Sequence, residues 1–291
     1  MFARMIDFGS YSPMSFSLSR KKPVHRQLAR IARSELRKAG KDLSAETPDQ
    51  AAIHDARKRV KKARSVLRVL QEDGKKPLHG AAHALAALRE VDANVGAVKG
   101  LRLKAPAERA ILRGLEARRR RTRSRASPGL GRAKAALERA ARSLPDAIER
   151  AGSRSALRLG TTEAYRCARD AGKGLTPESD TASFHRWRKR VKDLWYALRL
   201  LGGLHRSPRK RAQTLRRLEK LLGSDHDLAT LRAELIESPR RYGGSRATVP
   251  ALGVIDKRQV ALRERALDLG RRALGDRPKA FRDAVRTWAG K

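Results

Sequence analysis

Two segments of the chain repeat one another, and this repeat constrains the fold more than any other feature of the sequence. Residues 54–70 align with residues 185–201 at an offset of 131, and nine of the 17 aligned positions are identical. A second match follows at an offset of 133, where residues 88–95 resemble residues 221–228. Self-similarity at a fixed spacing indicates repeated structural units. The sequence therefore predicts two similar halves of about 130 residues each.

The segments between chain breakers have a helical pattern. The chain is rich in Ala, Leu, Arg and Glu and lacks the alternating β-branched and aromatic residues of strands. Prolines at first turns and glycines after last turns bound the predicted helices, which are 24–38, 48–72, 81–101, 106–125, 131–144, 155–172, 177–201, 208–237 and 250–274. We predict an all-α fold with a disordered extension at 1–14, a first helical half at 15–150 and a second at 151–291.

Each repeated helix is predicted to have one apolar side and one cationic side, because a residue advances the helix by about 100°. The apolar sides are formed by Ile53, Ala56, Val60, Ala63, Leu67 and Leu70 in the first copy and by Phe184, Trp187, Val191, Leu194, Leu198 and Leu201 in the second. We call the cationic sides the first row (His54, Arg57, Lys58, Lys61, Arg64 and Arg68) and the second row (His185, Arg188, Lys189, Lys192 and Arg199). The apolar sides are predicted to be buried.

The two rows concentrate like charge in a way that indicates a bound polyanion. Like charges four residues apart on a helix repel by a few tenths of a kcal/mol, yet no acidic residue lies between Arg57 and Arg68. The formal net charge of +39 also predicts a polyanionic partner, either nucleic acid, another phosphate polymer or an anionic membrane surface. Arginine suits phosphate because its planar fork donates two parallel hydrogen bonds. A solvated helix face is the alternative interpretation.

Other charged residues extend the predicted site. Further candidate phosphate ligands are Arg30, Arg33 and Arg37 on the first helix and Arg166 and Arg169 after the linker. The arginine-rich segment 118–125 is either a binding surface or a solvated helix end. Asp92, Asp225 and Asp227 are predicted to pair with the rows or with histidines and to hold them in position. Metal ligation is the alternative for these three aspartates.

The two histidines that begin the rows are predicted to donate hydrogen bonds to phosphate. His54 and His185 occupy the same position of the repeat, which favours a shared role. A metal site is the alternative interpretation, but the residue after the histidine is Asp55 in one copy and Arg186 in the other.

The sequence contains no recognisable catalytic arrangement. It has no supported nucleophile triad, no phosphate-cradling glycine loop and no acidic cluster suited to Mg²⁺. We therefore expect a binding protein that is not an enzyme and that uses no metal or cofactor. Cys167 is the only cysteine, and no apolar run reaches the roughly 18 residues of a membrane helix. We expect a cytoplasmic protein without a membrane partner.

The repeated pattern His-x-x-Arg-Lys-Arg-Val-Lys, together with segments 88–95, 165–166 and 222–227, resembles the CHAD family, the conserved histidine α-helical domain. The resemblance implies two four-helix-bundle-like halves, related by a pseudo-two-fold axis around a central basic cavity. It also implies that the cavity binds inorganic polyphosphate, for which sulfate or phosphate is a surrogate, and that the protein associates with polyphosphate granules. Non-specific binding of nucleic acid is the alternative function, although most aromatic residues fall on apolar sides rather than on a base-stacking surface.

Overall fold

The computed structural model describes residues 16–71 and 76–290, and every regular element in these two ranges is helical. The α-helices are α1 Val24–Asp42, α2 Gln50–Val69, α3 Lys76–Leu101, α4 Ala105–Ser124, α5 Ser127–Ala151, α6 Arg154–Gly172, α7 Thr181–Leu201, α8 Pro208–Glu237, α9 Ser245–Leu274 and α10 Pro278–Ala289. A short 3₁₀ helix, Pro239–Tyr242, lies between α8 and α9. The predicted all-α class is confirmed. The extension at 1–14 lies outside the described residues, and the two halves and their pseudo-two-fold stay predictions.

The apolar sides of the repeated helices α2 and α7 form part of the main core. All twelve predicted apolar residues are buried, and the most exposed of them, Leu70, retains 7% of its surface. They belong to one hydrophobic cluster that also takes side chains from α1, α3, α5, α6, α8, α9 and α10. A smaller cluster joins α3, α4, α8, the 3₁₀ helix and α9. Because α2 and α7 also pack against each other, burial of their apolar sides fixes the rotation of both helices.

The two repeated helices begin with matching caps. Asp49 accepts a hydrogen bond from the Ala52 backbone nitrogen at 2.7 Å, and Asp180 accepts one from the Ser183 backbone nitrogen at 2.8 Å. An aspartate at this position satisfies a backbone donor that the helix itself leaves free. The two caps are separated by the repeat offset of 131. Both cationic rows therefore stand at the same distance from the start of their helices.

Helix α5 is longer than the sequence predicts. It begins before Pro128 and continues through Pro145, where the predicted helix 131–144 ended. Proline inside a helix costs about 3 kcal/mol or more, since it removes a hydrogen bond and crowds the preceding turn. Here the apolar side of α5 stays buried on both sides of the proline, with Leu144 and Ile148 in the core. The burial of this continuous side offsets the cost and keeps the helix intact.

Helix α6 crosses the end of α2 at a close contact that only glycine permits. A β-carbon added at Gly160 would lie 1.7 Å from the backbone oxygen of Val69. Gly160 therefore lets the two backbones approach, and α6 supports the helix that carries the first row.

Candidate anion-binding site

Eight of the eleven residues of the two cationic rows line one cavity of about 450 Å³, which we call the basic cavity. It lies between α2, α3, α7 and α8. Helix α2 contributes Arg57, Lys61, Arg64 and Arg68, and α7 contributes His185, Arg188, Lys189, Lys192, Asp193 and Tyr196. Helices α3 and α8 contribute His79, Ala86, Arg89, Glu90, Ala93, Asn94, His226, Asp227 and Thr230. Eight of these side chains are Arg or Lys and three are Asp or Glu, so the described lining is strongly cationic.

Acidic side chains outside the rows hold the cations in place. Glu219 of α8 lies 2.6 Å from Lys192 Nζ and 3.2 Å from Arg188 Nη2. Burial disfavours the Glu219 carboxylate, but these two cations together hold its pKa below the ordinary value. The repeat does not single out Glu219, because its counterpart in the first half, at the offset of 133 that holds for this region, is Ala86.

The first row is anchored differently. Arg57 Nη1 donates a hydrogen bond to the backbone oxygen of Leu85 at 2.6 Å. Arg68 forms an ion pair with Asp193 of α7, so one contact joins the two repeated helices. Asp193 lies on α7 but does not belong to the second row, and it pairs with the first row across the cavity.

The crowding of cations changes their proton affinities. Burial and the neighbouring charge of Lys192 lower the pKa of Lys61 to about 7. Burial and the charges of Arg89 and Arg188 lower the pKa of Arg57 to about 10. Desolvation and like charge both disfavour the charged form of a base. In the empty protein, Lys61 therefore carries its charge only part of the time at neutral pH.

Several buried polar atoms that belong to cavity residues have no hydrogen-bond partner within the described chain. They are Arg64 Nε, Asn94 Oδ1, His185 Nδ1 and Arg188 Nε. Buried polar atoms are nearly always satisfied in proteins, and an unsatisfied one costs about 1–3 kcal/mol. Two of the four are guanidinium N–H donors, one on α2 and one on α7, and these two favour an acceptor-rich ligand in the cavity.

His185 contacts a second histidine that the sequence did not single out. The rings of His185 and His226 are 4.3 Å apart between centroids. Burial, His226 and Lys189 lower the pKa of His185 to about 4, and burial and Arg188 lower the pKa of His226. Both imidazoles are therefore neutral at pH 7 in the empty protein. A neutral imidazole still donates one hydrogen bond.

His54 does not line the basic cavity. It lies in an adjoining cavity of about 930 Å³, which shares Arg89, Ala93 and Asp227 with the basic cavity. Burial and Lys58 lower the pKa of His54. The adjoining cavity is less cationic because Asp49, Asp92 and Asp227 line it beside its arginines.

The remaining row residues also lie away from the basic cavity. Lys58 pairs with Asp55 at 2.9 Å on the surface. The Arg199 guanidinium lies over the rings of Phe16 and Trp195, 5.1 Å from each centroid. Cation–π contacts of this kind stabilise packing and leave the guanidinium less available to a ligand.

The five arginines predicted outside the rows are dispersed, and none lines the basic cavity. Arg30 and Arg37 are exposed on α1, and Arg33 lies 3.5 Å from Asp146. Arg166 lies 2.6 Å from Glu163 and 3.3 Å from Asp170, while Arg169 lines a separate pocket beside Trp187.

The three predicted aspartates have separate partners. Asp225 is buried and lies 2.8 Å from Arg263 Nε, and Asp92 lies 3.0 Å from Arg119 Nε. The structure thus pairs these two with arginines that belong to neither row. Asp227 alone of the three lines the basic cavity, 3.6 Å from Arg89. Arg89 lines both cavities, and the repeat does not single it out because its counterpart at the offset of 133 is the uncharged Leu222.

Two further properties of the described chain bear on its partners. No helix in the described ranges is both long and apolar enough to cross a bilayer. Among the same residues, no three His, Cys, Asp or Glu side chains are grouped so that they could hold a metal ion.

Comparisons with known proteins agree with this architecture. The family model of the CHAD domain matches residues 73–236, more than half of the chain, and this match includes the second row but not the first. The crystal structure of the CHAD domain from the plant Ricinus communis is similar, with a TM-score of 0.68 and 19% identity over 93% of this chain and 98% of that one. PptA from Streptomyces chartreusis has a TM-score of 0.64 and 19% identity over 88% of this chain and 100% of that one. No curated protein matches the sequence.

Proposed function

The chain belongs to the CHAD domain family, and from this premise we propose that it binds inorganic polyphosphate in the basic cavity. The observation that carries the proposal is the convergence of two cationic rows, on α2 and α7, on a single cavity. We assign phosphate binding to Arg57, Lys61, Arg64, Arg68, His185, Arg188, Lys189 and Lys192. His54, Lys58, Arg199, Arg30, Arg33, Arg37, Arg166 and Arg169 lie outside this cavity and are not assigned to it.

A linear phosphate polymer fits the chemistry of the cavity better than other anions. Each phosphate carries charge and several acceptor oxygens, which can accept from guanidinium forks on both walls. The negative charge of a bound chain would also offset the repulsion among the cavity cations, which together with burial lowers the pKa of Lys61 and Arg57. The ligand would therefore gain affinity from contacts and from relief of that repulsion.

Nucleic acid is the competing ligand. Proteins that bind single strands without sequence preference stack bases on aromatic side chains, and in the described lining of the basic cavity Tyr196 is the only Phe, Tyr or Trp. Tyr196 is itself 5% exposed. These features favour a ligand that presents phosphates alone.

The proposal extends to the cellular role. We propose a binding protein that does not cleave its ligand, that resides in the cytoplasm and that associates with polyphosphate granules. Release of phosphate from polyphosphate in the presence of Mg²⁺ or Mn²⁺ would contradict the non-catalytic part of this proposal.

Charge reversal tests the site directly. Arg57→Glu and Arg188→Glu should each weaken binding of long-chain polyphosphate at least about tenfold, because a charged hydrogen bond contributes about 1.5–3 kcal/mol. Arg120→Glu is the matched control, since Arg120 is exposed on α4 and lines none of the cavities described here. Circular dichroism verifies folding, and Arg57→Gln and Arg188→Gln serve where a glutamate prevents it. Equal binding by all three charge reversals would overturn the assignment.

Competition separates the two ligands. Duplex DNA at the same phosphate concentration should fail to displace polyphosphate from the wild-type protein. Displacement would favour nucleic acid instead. Binding should also weaken steeply with salt, as for DNA, where 6–10 phosphate contacts cost about 10³–10⁵ in affinity between 50 and 200 mM.

A further inference from the structure

A second concave surface gathers arginines away from the basic cavity. It has a volume of about 560 Å³ and lies between α3, α4, the start of α5 and the 3₁₀ helix. We call it the arginine pocket, and its polar side chains are Arg118, Arg121, Thr122, Arg125, Arg132 and Arg241. No acidic side chain belongs to its described lining. Four residues of the arginine-rich segment 118–125 line this pocket, whereas none of that segment lines the basic cavity.

The arginines at the end of α4 differ in whether an acidic side chain compensates their charge. Arg118 lies 2.6 Å from Glu234 and 3.0 Å from Glu90, so its charge is already compensated. Within the described residues, Arg121 and Arg125 form no ion pair with an acidic side chain. Arg121 lies in the last turn of α4 and Arg125 is its C-terminal capping residue, four residues later, a spacing at which like charges on a helix repel. This repulsion is weak between the two exposed groups, and an anion bound between them would remove it.

The fourth and fifth arginines reach the pocket from other elements. Arg132 stands in the first turns of α5, and Arg241 stands on the 3₁₀ helix. The backbone of Arg241 packs tightly on α4, where a β-carbon added at Gly114 would lie 2.3 Å from the Arg241 oxygen. Buried Tyr242 fixes the same short helix in the smaller core cluster. The pocket thus has a rigid frame, and all its arginines except the half-buried Arg118 are exposed.

The arginine pocket and the basic cavity lie on the two sides of one ion pair. Glu90 lines the basic cavity, and its partner Arg118 lines the arginine pocket. We propose that the arginine pocket is a second phosphate-binding site, and that it holds a distal part of the polyphosphate chain whose other part occupies the basic cavity. This inference rests on the proposed function of the basic cavity.

The chemistry of the pocket selects phosphate groups. Its described lining contains no Phe, Tyr or Trp on which a base could stack. Guanidinium groups from three elements and the Thr122 hydroxyl are donors directed to anionic oxygens. A chain long enough to reach both sites binds the second one as an intramolecular event, which can raise affinity about 10²–10⁴-fold. A short chain gains nothing from this arrangement.

The experiment compares two double variants of α4 that remove the same charge. Arg121→Gln with Arg125→Gln removes arginines of the pocket, and Arg113→Gln with Arg120→Gln removes two exposed arginines of the same helix outside it. Binding of tripolyphosphate and of long-chain polyphosphate is measured by calorimetry at several salt concentrations. Arg188→Gln is included as the variant of the basic cavity.

The pocket variant should bind long chains at least about tenfold more weakly than wild type, while its affinity for tripolyphosphate at the basic cavity stays within twofold. Its slope of log affinity against log salt should fall by about 1.4, at about 0.7 per lost contact. The Arg113/Arg120 control should match wild type for both probes. Equal long-chain binding by the two double variants, with binding lost in Arg188→Gln, would overturn the second site and leave the proposed function standing. Undiminished binding by Arg188→Gln would overturn the proposed function, and the two-site arrangement with it.

Discussion

The Glu219 carboxylate lies 2.6 Å from Lys192 Nζ, so an acidic residue of α8 holds a cation of the second row at the wall of the basic cavity. The same carboxylate contacts Arg188. The repulsion among the cations of an anion-binding cavity lowers the stability of the fold when no anion is bound. A buried carboxylate shared by two of these cations reduces that repulsion. A bound anion then compensates the positive charges of the cavity that Glu219 and the other acidic residues leave uncompensated.

Glu219→Gln should lower the free energy of unfolding by about 1–3 kcal/mol at pH 7, because Lys192 and Arg188 lose their counter-charge. Urea unfolding without polyphosphate measures this loss. The Glu219 pKa is lowered in the folded state, so the difference should be full at neutral pH and should shrink as pH falls through that lowered pKa. Exposed Glu264→Gln is the control and should stay within about 0.5 kcal/mol of wild type. An equal loss in both variants would contradict the role of Glu219.

Polyphosphate affinity should fall as pH rises from 7 to 9. Lys61 loses its proton near pH 7 in the empty protein, whereas a bound polyanion favours its charged form. Binding above pH 7 must therefore take up a proton, and the affinity should decline by up to about tenfold per pH unit. Calorimetry in buffers of different ionisation enthalpy measures the proton uptake.

The Lys61→Gln variant should lose most of this pH dependence over the same window. His185 and His226 are already neutral there, since their pKa values are lowered. Lys38→Gln, which removes an exposed lysine of α1, should keep the wild-type slope. A slope that persists in Lys61→Gln would assign the proton to another group.

Asp225→Asn should destabilise the fold without weakening the site. Asp225 and Arg263 are both buried, and Arg263 also donates to the backbone oxygens of Pro177 and Ser179. Leaving the guanidinium without its counter-charge should cost about 3 kcal/mol. Thermal unfolding and polyphosphate titration of the folded variant measure the two quantities. A loss of affinity at unchanged stability would instead place Asp225 in the binding machinery.

Gly160→Ala should lower the free energy of unfolding by about 1–3 kcal/mol, because its β-carbon would collide with the Val69 backbone. Gly253→Ala on α9 is the matched control, since nothing lies within 4 Å of a β-carbon there. The control should be stabilised by about 0.5–1 kcal/mol, as alanine favours a helix interior over glycine. Parallel urea titrations test the pair, and equal shifts in both would contradict the close crossing of α6 and α2.

Sequence alone predicts the rotation of α2 and α7 well. The periodicity of twelve apolar residues is a local property, and their burial turns the two cationic sides toward a common space. The residues that other helices contribute to that space cannot be read from a local sequence pattern. Glu219 and Arg89 stand on α8 and α3 without a partner in the repeat, so only the packing of the helices brings them to the rows.

Helix ends were predicted less accurately where burial overrides a local signal. Pro145 and Pro250 lie inside α5 and α9, although the sequence predicts a helix end at 144 and a helix start at 250. Helix α10 was missed, yet its Phe281 and Val285 are buried in the main core. Arg199 shows the same limit at the site, since its place in the repeat predicts a phosphate ligand while its surroundings are the aromatic rings of Phe16 and Trp195.

The matching caps at Asp49 and Asp180 have a consequence for how this chain can change. Each residue advances a helix by about 100°. One residue inserted between Asp180 and the first buried residue, Phe184, would leave the second row in place, because the buried apolar side fixes the rotation of α7, but it would move Asp180 out of its capping position. The number of residues from the cap to the histidine is therefore constrained by the capping hydrogen bond, whereas the direction of the row is constrained by the buried apolar side.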